Sequence, residues 1–118
     1  GHARRRFGHS FRPCCRREDA EAYQAVIHHQ VIPDIEGLCL EGFQLIDLMR
    51  RDIQGEDGPE TEFSTLMWFS SIEAVKAFLP TGHDLAYVPE EALGLLTRFD
   101  RTAAHYEVLD HRQQPIRR

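Results

Sequence analysis

Two stretches of this chain are apolar on alternate positions and apolar again on the positions between. In LCLEGFQLIDLMRRD, residues 38–52, Phe43, Leu45 and Met49 share one face of an extended strand while Ile46 and Leu48 share the other. In EFSTLMWFS, residues 62–70, Phe63, Met67 and Phe69 stand opposite Leu66 and Trp68. The polar, glycine-rich DIQGEDGPET between them predicts an antiparallel hairpin. Strands apolar on both faces belong to a sheet covered on both sides. A single chain of 118 residues with few helices covers one side, so the other is expected to meet a second copy.

The flanking segments supply those helices. In REDAEAYQAVIHHQVIPDI, residues 17–35, Ala20, Tyr23, Ile27 and Val31 recur at helical spacing, and Val26 widens the stripe. Glu18, Asp19 and Glu21 crowd the first turn, where carboxylates suit the helix dipole, and Pro33 predicts an end at Ile32. SSIEAVKAFLP, residues 70–80, reads as a helix capped by Ser70 with Glu73 reaching back, with Ile72, Ala74, Val75 and Phe78 buried. A turn follows, then Pro89 opens a segment whose apolar residues are Ala92, Leu93, Leu95, Leu96 and Phe99. TAAHYEVLDH, residues 102–111, is the last strand, and HSFRPCC, residues 9–15, the first, with Pro13 restricting it to an edge or a bulge. The order β-α-β-β-α-β predicts an α+β, ferredoxin-like antiparallel sheet with helices on one face, paired with its twin as a dimeric α/β barrel.

Charge and cysteines narrow the function classes. Residues 1–17 carry six arginines and no acid, whereas the remainder carries eight basic against nineteen acidic side chains. The acidic body repels phosphates, so no nucleic-acid partner is expected, and the first ten residues or so read as a mobile arm. Three cysteines, two of them adjacent, suit a reducing cytoplasm better than a disulfide framework. No signal peptide and no membrane span is read in the chain. His28 and His29 project about 100° apart on a helix and no C-x2-C pair exists, so no metal is expected. The expected division is 1–15 as arm and first strand, 16–111 as the domain, and 112–118 as a tail.

Four segments together carry a resemblance. Ser71 to Phe78 fits an S-[IL]-E-A-[VI]-x-A-F pattern that follows an aromatic strand, and Ala86 to Ala92, AYVPEEA, corresponds to an A-V-x-P-E-E-A-like stretch. Leu95 to Asp100 fits L-L-x-x-[FY]-D, and His105 to Val108 reads H-Y-E-V. Over roughly residues 16–109 the chain resembles the antibiotic biosynthesis monooxygenase-like family of the dimeric α/β-barrel superfamily. The resemblance implies a ferredoxin-like protomer, a homodimer and, as leading activity, cofactor-independent oxygenation of a small aromatic or phenolic substrate. Relatives that bind or degrade haem, and dimers that bind without catalysis, are the alternatives it leaves open. The chain departs from the family pattern in three places. Phe11, Pro13 and Cys15 replace a W-x-G-x-T first strand, Leu79 and Pro80 replace Ala-Gly, and the chain has no asparagine. The asparagine-dependent chemistry of such oxygenases and haem degraders therefore has no counterpart here.

The candidate site residues follow from type and position. His83 or His105 is the expected base, since histidine titrates near neutral pH. Tyr87 or Tyr106 is the expected hydrogen-bond donor, and Trp68 is expected to stack on a substrate ring. No cofactor is expected. His83 and Tyr87 lie four apart and point the same way if their turn is helical, as a lid or as a simple surface cap. His105 and Tyr106 face opposite sides of a strand and so form no dyad. Packing is the competing role for Trp68 and for this pair.

Overall fold

The computed structural model describes residues 6–78, 89–100 and 102–116. Its elements in order are β1 (Arg6–Phe11), β2 (Cys14–Arg16), α1 (Ala20–Val26), α2 (Ile32–Gly37), β3 (Phe43–Gly55), β4 (Gly58–Phe69), α3 (Ile72–Phe78), α4 (Glu90–Leu93), β5 (Leu96–Arg98) and β6 (Ala104–Val108). Strand β4 is the spine of one antiparallel sheet. It pairs along its length with β3, and on its other side with β2 through Glu60–Glu62 and with β1 through Thr65–Phe69. Beyond these, β5 pairs with β2 and β6 with β1. Taking β1 with β2 and β5 with β6 as interrupted strands, this is the ferredoxin-like arrangement expected, with the helices on one face.

The first strand corrects the reading of a mobile arm. Residues 6–11 form a central strand held on both sides, by β4 and by β6. Arginine content suggested a solvated tail, but Phe7, His9 and Phe11 alternate with Gly8 and Ser10, which is strand periodicity. Pro13 is at neither an edge nor a bulge of an unbroken strand; it fills the gap between β1 and β2. Its carbonyl still accepts from Phe63 N–H at 2.9 Å, so the missing proline donor costs the sheet one ladder bond.

The first helix also runs further than Pro33 predicts. Residues 27–31 widen into a π turn, in which Ile32 N–H reaches back five residues to the Ile27 carbonyl. That extra residue rephases the helix before Pro33, which then sits in the first turn of α2. The shift places Ile35 in the buried stripe after Ala20, Tyr23 and Ile27.

The hairpin is longer and tighter than the glycine-rich connection suggests. Strands β3 and β4 stay paired as far as Gly55 and Gly58, leaving Glu56 and Asp57 as the turn. Gly58 at φ +129° supplies a backbone that other residues adopt only with strain. A register shift between Phe43 and Leu45 changes one assignment on β3. It brings Phe43 to the helix side with Ile46, against Phe69 at 5.6 Å, instead of leaving it with Leu45 and Met49. Gly42, at φ +86°, makes the turn into this strand, where a side chain would collide with Ser70 and Ala74.

The α3 cap is Ser71, not Ser70: its Oγ accepts from Ala74 N–H at 3.1 Å. The segment opened by Pro89 is helical for four residues only, and Leu96–Arg98 then joins the sheet as β5. Two apolar clusters fill the space between sheet and helices. One joins Phe63 and Cys15 to Tyr23, Ile27 and Ala92; the other joins Met67 and Phe69 to Ile35, Val75 and Phe78.

Candidate functional site

The register of β4 decides which side chains can share a site. Phe63, Met67 and Phe69 face the helices and are at most 2% exposed, so Leu66 and Trp68 face the open side. Directly across the sheet, Gly8 lies between Trp68 and Tyr106, and His9 lies between Met67 and His105. His105 and Tyr106 therefore face opposite ways, as their adjacency requires.

On the helix side, His9 and His105 meet. His9 Nδ1 and His105 Nε2 are 2.8 Å apart, their ring centres 4.9 Å apart. One of the two nitrogens must carry the proton of this hydrogen bond. Phe78 of α3 packs edge-on against His9 at 5.4 Å. His9 is 5% exposed and His105 half-buried. Burial, and then the neighbouring His105, lower the pKa of His9 to about 4, so it is neutral near pH 7.

His9 lines a cavity between sheet and helices. Phe11, Thr65 and Met67 complete its floor, and Tyr23, Ile27, Val31 and Ile35 its roof, with Phe78 and Pro89 at one side. Its volume is about 40 Å³. That is room for a water or a dioxygen molecule and less than an aromatic ring needs. Apart from His9, its polar groups among the described residues are Thr65 and Tyr23, whose ring packs on Phe63 at 5.2 Å. Burial pushes the Tyr23 phenol far up, with nearby Cys15 adding to it, so Tyr23 stays a neutral hydroxyl.

Trp68 and Tyr106 do not line this cavity. They stand on the opposite face of the sheet, which corrects their expected grouping with the base. Trp68 there takes the Arg6 guanidinium over its ring at 5.8 Å and His111 edge-on at 4.9 Å. Its indole Nε1 is buried without an acceptor among the described residues. Leu45, Met49 and Tyr106 are 37%, 48% and 52% exposed on the same face. His83 and Tyr87 lie outside the described residues.

The sequence reading missed His9 and Tyr23 as site residues. Tyr23 was legible as core from its helical spacing, while His9 opened the expected first strand, beside the segment read as an arm, and was not singled out. The period-two pattern of Phe7, His9 and Phe11 is the signal that reveals it. Cys15 is fully buried, and burial lifts its thiol to about 11; Cys14 is raised for the same first reason, against the pull of Arg98. Neither is an activated nucleophile. Among the described residues no three His, Cys, Asp or Glu side chains converge as a metal site, and no helix is long and apolar enough to cross a membrane.

A ferredoxin-like α+β sheet with a partly buried histidine pair beside a small apolar cavity is the class of molecule these features define. Among solved structures it is similar to a Bacillus cereus protein provisionally described as an antibiotic biosynthesis monooxygenase. The two share 15% identity with a TM-score of 0.56, over 95% of this chain and all of that one. The likeness is one of fold. No protein-family model and no curated protein sequence matches the chain.

Proposed function

We propose that this protein is a homodimeric, cofactor-independent oxygenase acting on a small aromatic or phenolic substrate. The observation that carries the reading is the histidine pair set in the wall of an apolar cavity, in a fold shared with the Bacillus cereus structure. Such a reaction begins when a base removes the substrate's hydroxyl proton. The electron-rich anion is then oxidised by molecular oxygen: one oxygen atom becomes a carbonyl on a ring carbon. The other takes that carbon's hydrogen together with the hydroxyl proton and leaves as water, so the phenol becomes a quinone with no further reductant. An apolar wall favours this by excluding bulk water from the anion. The cavity is smaller than an aromatic ring, so binding such a substrate requires its walls to widen. His83 and Tyr87 are carried as further pocket groups on the sequence alone.

Oxygen uptake by metal-stripped protein with a panel of hydroxylated aromatic substrates tests the activity. Uptake is expected with at least one of them, and His9→Ala is expected to slow it by about a hundredfold. No uptake across the panel, or uptake indifferent to His9→Ala, leaves a dimeric binding protein as the better reading.

The dimer part of the proposal rests on the open sheet face, where Leu45, Met49 and Tyr106 are exposed beside Leu66 and Trp68. Light scattering at micromolar concentration is expected to give twice the chain mass, and Leu45→Glu with Met49→Glu to give the chain mass. A monomer from the unaltered protein would sink this part.

A further inference from the structure

We propose that His9 takes the substrate proton and that His105 is a positioning residue behind it, fixing the His9 tautomer and sharing its charge. The inference rests on the proposed oxygenase reading only for the identity of the proton. The two residues are directly opposed on β1 and β6, so the backbone sets their separation. Of the two, only His9 lines the cavity, and its Nδ1 is already engaged at 2.8 Å by His105 Nε2. Its Nε2 is therefore the nitrogen left for a substrate.

To act as a base, Nε2 must be bare. A neutral imidazole with a bare Nε2 carries its hydrogen on Nδ1, and that hydrogen then points at His105 Nε2. His105 must accept, and so holds its own hydrogen on Nδ1. When Nε2 takes the substrate proton, His9 becomes an imidazolium in a place where burial disfavours charge. Passing the Nδ1 proton to His105 moves that charge to a half-buried ring. The proton returns to His9 as Nε2 gives its own to the oxygen that leaves as water, whose second hydrogen comes from the oxidised ring carbon, so the pair ends each cycle as it began. Among the described residues facing His9, Met67 and Phe78 do not titrate and Tyr23 stays a neutral hydroxyl, while Glu107, two residues along β6 from His105, is exposed.

Imidazole ¹⁵N NMR of the intact protein at pH 7 reads the tautomer directly. In water a histidine favours the Nε2–H form, so the expected Nδ1–H form of His9 is not what an unconstrained ring shows. His105→Gln, whose amide oxygen can still accept, is expected to keep Nδ1–H; His105→Phe is expected to revert His9 to Nε2–H. With a turned-over substrate, His105→Phe lowers kcat by about a hundredfold and leaves KM unchanged, while His105→Gln loses less. Finding Nε2–H on His9 in the unaltered protein overturns the proposal, whether or not His105→Phe folds. So does Nδ1–H that persists in His105→Phe. Absence of oxygen uptake would instead sink the oxygenase reading and leave the tautomer result standing.

Discussion

Acidifying the protein from pH 7 to pH 4 is expected to remove about 3 kcal/mol of folding free energy through His9 alone. The pKa of His9 falls from 6.5 to about 4 on folding, and one unit corresponds to about 1.4 kcal/mol. The folded state holds this imidazole neutral, first because it is buried and second because a cation there would face His105. Between pH 6.5 and 4 the unfolded chain binds a proton that the folded chain refuses. The contribution is thus complete above pH 6.5, declines as pH falls, and is exhausted below about 4. Other groups titrate in the same window, so the comparison that isolates His9 is with His9→Gln, which cannot take the proton. Urea midpoints of the two proteins at pH 7, 6, 5 and 4 should converge as pH falls. A constant gap across that range would show that His9 is not a buried neutral imidazole.

Phe69→Ala should cost about 3–5 kcal/mol, the range for an aromatic side chain removed from a well-packed core. Phe69 is fully buried, touches Phe43 at 5.6 Å and Phe78 at 6.0 Å, and sits opposite Phe7 in the sheet. It therefore joins β1, β3, β4 and α3 at one point. Its neighbour Trp68 makes the instructive contrast. Trp68→Ala leaves the helix-side core intact and should cost the isolated chain less. In a dimer its cost should grow with protein concentration, because the lost contacts lie on the open face. Thermal or urea unfolding of both variants at two concentrations checks this. If Trp68→Ala proves the costlier at every concentration, the face assignment of β4 is wrong.

The order of elements was legible in the sequence, because each segment carries its own periodicity, and the ferredoxin-like arrangement was expected from that order. The two-faced strands, the Ala20–Tyr23–Ile27 stripe and the final strand through His105 are all local patterns. So was the opposition of His105 and Tyr106, since adjacent residues of a strand must part. Local signals failed where a neighbour in space supplied the missing interaction. Pro33 reads as a helix end, but a π turn absorbs it. Glycine in 52–61 reads as loop, but pairing across β3 and β4 outweighs it. The arginines near the N-terminus read as tail, but β4 and β6 on either side make residues 6–11 a central strand.

The site was decided almost wholly by the tertiary structure. That a histidine should act was an inference from residue type; that it should be His9 depends on β1 lying between β4 and β6. Residues 9 and 105 are far apart in the chain, and no spacing in the sequence links them. The sheet register sets their rings 2.8 Å apart at the hydrogen-bonding nitrogens, and the same register carries Trp68 and Tyr106 to the other face. The chain specifies its strands by alternation, and alternation fixes which residues share a face only within one strand. Which strands lie side by side, and in what register, is settled by packing across the whole domain, and with it the pairing of His9 with His105 on which the proposed chemistry rests.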